Sequence, residues 1–222
     1  MTLVIWVALA GCAPGGGETG AAPSCGAPLA PPLDLDGLVG QLAGWSPPIT
    51  LPCVLSALPR PLGLEATSDV FSVQPAVGGR SPRLFVQVDQ LVITVVPEGS
   101  GADLMEFGSY VDGDRSLKGE LAFPIEAPVT AESPYERLLS PFHDGSSCGV
   151  CHPSEEEVSP GRFVSIALRP IEGSLVPIED VAAEAAACDR SVEPERCAIL
   201  DAVFGHGEVV HQPLPASWPT IY

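Results

Sequence analysis

The feature that most constrains the fold of this chain is a regular alternation of apolar and polar residues between positions 84 and 123. Residues 84–89 alternate, so that one face of the predicted strand is entirely apolar. In residues 91–96 nearly every residue is apolar, so both faces of the second predicted strand are apolar. Further strands are predicted over 104–111 and 116–125, with a turn at 112–114 between them. Alternation is typical of a half-buried strand, and an apolar run is typical of a central one. These short strands and turns predict a mainly β fold with an antiparallel, sandwich-like module.

Segments outside this region give shorter patterns. Residues 33–45 predict a short helix that ends near Gly44 and the prolines after it. Residues 49–59 predict a strand with a proline at its edge, and residues 163–171 predict one more strand. These segments would add one helix and two strands to the β region.

The C-terminal part of the chain has a helical pattern instead. Residues 178–189 are rich in alanine, a strong helix former. Residues 193–207 begin with Pro194 at a first helical position and end at Gly205 as a C-cap. Two short helices are therefore predicted here.

These patterns divide the chain into regions. A β-rich module is predicted at 35–130, and a second region at 131–222 contains the two helices. The sequence leaves open whether the second region packs on the module as one domain, since 222 residues suffice for one large core or two small ones. Residues 12–34 consist mainly of Gly, Pro and Ala with few large side chains. Such a segment buries too little apolar area to offset its chain entropy, so we expect a flexible tether.

The N-terminus has a short apolar run at residues 3–10 that leads into Leu-Ala-Gly-Cys at 9–12. This arrangement resembles the bacterial lipoprotein signal with its lipobox. The resemblance implies that residues 1–11 are a signal peptide and that Cys12 carries the lipid. Ala13 after the cysteine, rather than Asp, implies sorting to the outer membrane of a Gram-negative bacterium. An apolar N-terminus with an unmodified cysteine is the alternative.

The segment Cys-Gly-Val-Cys-His at 148–152 concentrates the reactive side chains of the chain. Two thiols three residues apart, followed directly by a histidine, resemble the attachment motif of c-type cytochromes. The resemblance covers these five residues only. It implies that Cys148 and Cys151 carry the thioether bonds of a covalent haem c and that His152 is the proximal iron ligand.

Three other interpretations of the same residues stay open. Together with His143 these residues form the pattern His-x4-Cys-x2-Cys-His, a ligand set that zinc accepts. The four residues are very close in sequence for tetrahedral coordination of one metal ion. A thioredoxin-like redox role for the two cysteines needs a βαβ context, which the sequence does not predict. The two cysteines can also form a local disulfide in a stiff loop.

The expected pairing of the remaining cysteines depends on whether Cys148 and Cys151 bind haem or each other. Outside the cytosol, thiols are expected to be paired or otherwise occupied. If haem takes Cys148 and Cys151 and lipid takes Cys12, the simplest remaining pairs are Cys25–Cys53 and Cys188–Cys197. If Cys148 pairs with Cys151 instead, each of the other four cysteines still has a partner. The number of cysteines therefore does not decide between haem and disulfide.

The rest of the chain departs from a standard class I cytochrome c fold. Such proteins usually have a distal methionine downstream of the motif, whereas the methionines here are Met1 and Met105. A histidine is therefore preferred as the sixth iron ligand, in the order His206, His211, His143. Glycines beside His206 would let the backbone approach a flat cofactor. A five-coordinate iron and a histidine without iron stay open.

The charge of the chain restricts its partners. The formal net charge is −18, from 10 basic and 28 acidic residues, and no basic cluster exists. Nucleic-acid binding needs Lys and Arg that neutralise phosphates, so we exclude it. The acidic surface favours a redox partner with a basic surface, and it leaves a lipid anchor as the means of holding the protein at a membrane.

Together these observations predict a membrane-anchored, periplasmic mono-haem c-type lipoprotein that acts in electron transfer or redox sensing. The alternative is a non-haem β-sandwich binding or structural lipoprotein of unknown ligand, with Cys148–Cys151 as a local disulfide. Neither a nucleophile elbow nor a phosphate loop occurs in the sequence. We therefore expect an electron carrier or a binding module rather than an enzyme.

Overall fold

The structure of the protein, a computed structural model, describes residues 25–142 and 144–220. The strands are β1 (Leu62–Thr67), β2 (Arg83–Val88), β3 (Leu91–Val95), β4 (Leu104–Asp112), β5 (Arg115–Ala122), β6 (Glu156–Ser159), β7 (Arg162–Ile166) and β8 (Val209–His211). The helices are α1 (Leu35–Leu42), α2 (Leu51–Ala57), α3 (Ile178–Ala186) and α4 (Pro194–Phe204), with short 3₁₀ helices at Ser147–Val150 and Glu172–Ser174. The predicted fold class, mainly β with helices in the C-terminal region, is confirmed.

The eight strands form one sheet in the order β6-β7-β5-β4-β3-β2-β1-β8. Neighbouring strands are antiparallel, except that β1 and β8 run parallel. The run predicted to be central is β3, which lies between β2 and β4. Strands β6, β7 and β8 come from the region at 131–222 and join the strands of 35–130 in the same sheet.

One face of this sheet forms the hydrophobic core together with the helices. Val86 pairs with Ile93, and Ile93 pairs with Phe107, so their side chains share this face, and all three are buried. Apolar helix side chains complete the same core, among them Leu35, Leu38, Leu42, Val54, Leu55, Leu200 and Val203. Burying one such side chain stabilises the fold by about 1.5–3 kcal/mol. This layer of helices takes the place that a second sheet has in a sandwich.

Helix α2 corrects the prediction of a strand at 49–59. The side chain of Thr50 accepts a hydrogen bond from the backbone N–H of Cys53, which caps the helix N-terminus. Pro52 stands in the first turn, where a helix needs no N–H donor. Leu51, Val54 and Leu55 follow the helical spacing and are buried. Pro52, which the sequence analysis placed at the edge of a strand, is part of a helix start.

The disulfide Cys25–Cys53 is present and ties the chain before α1 to α2, as predicted. Of the segment 12–34 that was predicted to be a tether, the structure describes residues 25–34. Leu29 and Leu33 in it are buried, and the backbone N–H of Leu29 donates to the carbonyl of Ala57 at 2.8 Å.

The predicted signal peptide at 1–11 and the lipidation site Cys12 lie outside the described residues. Among the residues that are described, no helix has the length and apolar character needed to cross a membrane.

Helices α3 and α4 are joined by the second predicted disulfide and by an ion cluster around the buried Arg196. Cys188 and Cys197 form the disulfide, with 5.6 Å between their Cα atoms. Arg196 on α4 is only 3% exposed and forms ion pairs with Glu184 at 2.8 Å and with Glu193 at 3.0 Å. The C-terminal helices therefore form one tightly linked unit.

The chain after β8 packs on the second face of the sheet. The backbone N–H of Leu214 donates to the Glu65 carboxylate of β1 at 3.1 Å. Leu214 and Trp218 form a small hydrophobic cluster with Phe85 of β2 and Ala167. Phe85 points away from the core formed with the helices, because it alternates along β2 with core residues such as Val86. The second face therefore has a partial cover, and a cleft lies beside it.

Candidate functional site

The second face of the sheet carries a cleft that is open to solvent and encloses about 110 Å³. This enclosed volume is below the range of about 300–1,000 Å³ typical of small-molecule and cofactor sites, so a larger ligand would also occupy the open mouth. The floor of the cleft comes from β2 to β5, and its walls come from the Cys-Gly-Val-Cys-His segment and from the chain after β8. The lining combines aromatic and polar side chains, among them Phe71, Phe85, Val92, Arg83, Thr94, Glu106, Lys118, Cys148, Cys151, His152, Leu214 and Trp218.

The segment 148–152 is fixed by a capped 3₁₀ turn. The Ser146 hydroxyl oxygen accepts hydrogen bonds from the backbone N–H groups of Cys148 at 3.1 Å and Gly149 at 3.3 Å. The Glu155 carboxylate accepts from the backbone N–H of Ser146 at 2.8 Å and from its hydroxyl group. Ser146 is fully buried. These bonds hold the motif in one position against the sheet.

Both thiols of the motif are free and line the cleft. Cys148 is half-buried, whereas Cys151 is exposed. Burial raises the pKa of the Cys148 thiol to about 11, so this group stays protonated at neutral pH. The thiols are not bonded to each other, while the other four cysteines in the described chain form two disulfides.

The imidazole of His152 is held in one orientation and in one protonation state. Its Nδ1 atom lies 2.8 Å from the carbonyl oxygen of Ile166, and since a carbonyl can only accept, Nδ1 is the atom that carries the proton. Burial, assisted by the neighbouring Lys118 cation, lowers the pKa of His152 to about 3. Its Nε2 atom makes no hydrogen bond to any described residue. A neutral imidazole with Nδ1 bonded to a backbone carbonyl and Nε2 free is the usual state of a metal-ligating histidine.

Lys118 of β5 is a cleft residue whose role the sequence did not reveal. It is 5% exposed, donates to the Ser116 hydroxyl at 2.8 Å and lies 3.5 Å from the carbonyl of Ile166. Burial lowers its pKa to about 8, so the ammonium group is still charged at neutral pH. The alternation with Leu117 and Gly119 correctly placed Lys118 on the opposite face of the strand. It did not reveal that a loop covers that face.

An ion pair forms part of the cleft floor. Arg83 of β2 and Glu106 of β4 approach to 2.6 Å, and both side chains are largely shielded from water. Thr94 of β3 lies between them and donates to Glu106 at 3.1 Å. Arg83 also lies over the ring of Phe85, with 5.2 Å between the guanidinium carbon and the ring centroid. Gly108, next to this pair on β4, adds no side chain to the lining.

The donor set of the cleft fits a covalent haem. Two unbonded thiols stand on one turn, and a neutral imidazole with a free Nε2 follows them directly. Aromatic and aliphatic walls beside them suit a flat apolar macrocycle. In residues 25–142 and 144–220, no three His, Cys, Asp or Glu side chains converge as a metal-ligand set. Haem attachment needs no such convergence, because the two sulfurs bond to the porphyrin edge and not to the metal.

The other candidate iron ligands lie elsewhere. His206 lines a separate surface hollow beside the Cys25–Cys53 disulfide. His211 is exposed at the end of β8, and Met105 is fully buried in the core on the opposite face of the sheet. His143 lies outside the described residues. The structure thus brings together Cys148, Cys151 and His152, but does not bring His206 to their cleft.

A comparison with protein-family models, curated proteins and solved structures finds no match for this chain.

Proposed function

We propose that this protein is a mono-haem c-type lipoprotein that acts in electron transfer or redox sensing on the outer side of the cytoplasmic membrane. The observation that carries the proposal is the joint position of three residues. Cys148, Cys151 and His152 line one cleft, with both thiols free and Nε2 of the histidine unbonded.

The roles of the residues follow from their positions. Cys148 and Cys151 would hold the haem by thioether bonds, and His152 would bind its iron through Nε2. The carbonyl of Ile166 fixes the ring and makes Nε2 more basic, since it accepts the Nδ1 proton. Phe85 and Trp218 would exclude water from one side of the cleft. Bound haem supplies one-electron redox chemistry, and its potential depends on this burial and polarity.

The proposed location has separate support. Two disulfides indicate folding in an oxidising compartment, where covalent haem attachment also takes place. Lipidation at Cys12 and sorting to the outer membrane are proposed from the sequence alone. The net charge of −18 favours a redox partner with a basic surface, whose association would weaken as salt is added.

The test is a pyridine haemochrome spectrum of the full chain, made in a host with the c-type maturation machinery. We expect a haem band that stays with the polypeptide after denaturation. In a Cys148→Ala, Cys151→Ala variant that band should disappear. A Cys188→Ala, Cys197→Ala variant also removes two cysteines, but not from the cleft, and should keep the haem.

A folded parent protein without haem after maturation would refute this function. A second candidate would then stand: a binding lipoprotein that takes another small molecule in the same cleft. The Arg83–Glu106 ion pair in the cleft floor favours this candidate, because such a pair can orient a polar ligand without any haem. A cleft-directed ligand screen by thermal shift would then be the next experiment.

A further inference from the structure

A second hollow lies beside helices α2 and α4, and it shares no lining residue with the cleft. It is an open groove of about 1100 Å³ between the first turns of these helices, the loop from β3 to β4 and the residues after β5. This volume exceeds the range of about 300–1,000 Å³ typical of small-molecule sites. The helix-side groove therefore has room for a short polypeptide segment.

The lining of the helix-side groove is mainly apolar. Val192 lines it and is 71% exposed, so a large aliphatic side chain stands in water there. Other apolar side chains of the lining are Leu51, Pro52, Pro97, Phe123, Pro124 and Ile199. An apolar surface that is open to solvent and bordered by charged residues is typical of an interaction site.

The charged side chains of the lining are predominantly acidic. Glu98 and Asp103, on the loop between β3 and β4, form no ion pair within 4 Å with any Lys or Arg of the described chain. Glu195 is also unpaired there, but it stands in the first turn of α4, where negative charge stabilises the helix. Arg196 is the basic residue of the lining, and its charge is already balanced by two glutamates. The groove thus presents negative charge that the fold does not use.

The chain itself offers no cation for these carboxylates. All 10 of its Lys and Arg residues lie in the described part of the chain, and the residues before Cys25 contain neither. Seven of the arginines form ion pairs. Arg60 and Arg169 donate to backbone carbonyls, and Lys118 is buried in the cleft. Neither a second copy nor the N-terminal segment can therefore neutralise the groove, and the occupant is a different molecule.

The walls of the groove are held in place before any partner binds. The Cys188–Cys197 disulfide ties α4 to the end of α3. The backbone N–H of Phe123 donates to the carbonyl of Asp103 at 2.7 Å, which joins the β3–β4 loop to the residues after β5. Since a preformed surface loses little conformational entropy on binding, even a short segment can be held there.

We propose that the helix-side groove binds a basic polypeptide segment of another protein. Lys or Arg side chains of the segment pair with Glu98 and Asp103, and its apolar side chains cover Val192. The proposal goes beyond haem chemistry, because the groove and the cleft are separate, and it does not depend on haem being bound.

The test is isothermal titration calorimetry of the full chain with three synthetic peptides. The first, Gly-Lys-Leu-Gly-Lys-Leu-Gly-Lys, has both cations and apolar side chains. The second has Glu in place of every Lys, and the third has Ser in place of every Leu. We expect the first peptide to bind, with an affinity that falls as salt is added. The acidic peptide should not bind, and the serine peptide should bind at least about threefold more weakly than the first.

Two variants remove the proposed contacts. Glu98→Gln combined with Asp103→Asn removes both charges at nearly constant size, and it should weaken the first peptide about three- to tenfold. The matched control is Glu136→Gln with Glu208→Gln, which changes the net charge equally at exposed residues outside the groove. Val192→Ser should weaken the first peptide but not the serine peptide. Urea unfolding of each variant should match that of the parent, because the substituted side chains form no ion pair in the described chain.

The outcomes decide the proposal. Weakening by the groove variant but not by the control variant supports it. Equal weakening by both would show a response to the net charge alone and would overturn it, as would absence of binding of the first peptide or equal binding of the acidic one. A protein that takes up no haem during maturation but binds the first peptide in this way refutes the proposed function and leaves this inference intact. A haem-loaded protein that does not bind the peptide does the reverse.

Discussion

The Nδ1 atom of His152 donates a 2.8 Å hydrogen bond to the carbonyl oxygen of Ile166 on β7. This bond ties the cysteine-containing loop to a strand of the sheet, so the imidazole is oriented by the fold and not by a ligand. Burial of the ring and the neighbouring Lys118 cation keep the histidine neutral and lower its pKa to about 3, although the bond to Ile166 acts in the opposite direction.

In the apo-protein His152 should therefore remain an Nδ1-protonated neutral imidazole down to about pH 4. Nitrogen chemical shifts from long-range ¹H–¹⁵N spectra report this tautomer directly. The native pKa lies below the unfolded value of about 6.5, so the unfolded state takes up the proton first. Stability should fall as the pH drops from about 6.5 toward 3, and His152→Gln should lose this component. A ring protonated at pH 6 in the folded apo-protein would contradict the prediction.

The two thiols of the motif should differ in reactivity before haem attachment. Cys151 is exposed, whereas Cys148 is half-buried and burial raises its pKa to about 11. Since the thiolate is the nucleophile, iodoacetamide at pH 8 should modify Cys151 at least about tenfold faster than Cys148. Peptide mass spectrometry over time measures both rates. Equal rates would mean that the loop opens in solution.

The buried Arg196 should be essential for the helical unit. Replacing it with alanine removes the ion pairs to Glu184 and Glu193, and because the Arg196 guanidinium is buried, it should lower the free energy of unfolding by more than the loss of a surface pair does. Arg190→Ala is the control, because Arg190 pairs with Asp201 at the surface and its loss should cost about 1 kcal/mol or less. Urea unfolding of both variants gives the two values. Similar costs would show that the cluster adds no stability beyond that of a surface pair.

Met105 should have no role at the haem. Its side chain is fully buried in the helix-covered core, on the face opposite to the cleft. Met105→Leu nearly conserves the volume, so it should cost less than about 1.5 kcal/mol and leave the visible spectrum of the haem-loaded protein unchanged. A changed spectrum would place this residue near the iron and invalidate the assignment of the cleft to the other face.

The strands were predictable where the sequence itself carries the pattern. Strand β2 matches the alternation at 84–89, strand β3 matches the apolar run at 91–96, and the turn at 112–114 joins β4 to β5 as predicted. Strand β1 was not predicted, although Leu62, Leu64 and Ala66 alternate with Gly63, Glu65 and Thr67; all six residues are buried, the polar ones included. Helix α2 was mistaken for a strand because Pro52 was interpreted as an edge signal, although Thr50 before it was a helix-start signal.

The candidate site was predictable only in part. Cys148, Cys151 and His152 were found because their chemistry lies in consecutive residues. Arg83 and Trp218 were not, because contacts between distant parts of the chain bring them to the cleft, and no local pattern encodes such contacts. The pairings of the other cysteines were predicted by simplicity, and the structure confirms both.

The position of Leu214 and Trp218 far downstream of the motif has a consequence for biogenesis. A chain that crosses a membrane N-terminus first exposes Cys148 and Cys151 before the wall that contains Trp218 has arrived. A porphyrin would thus be attached while the second face of the sheet is still uncovered. The segment with Leu214 and Trp218 would fold over it later. If the proposed function holds, the maturation machinery would therefore select the molecule in the cleft, and a binding equilibrium with the finished protein would not.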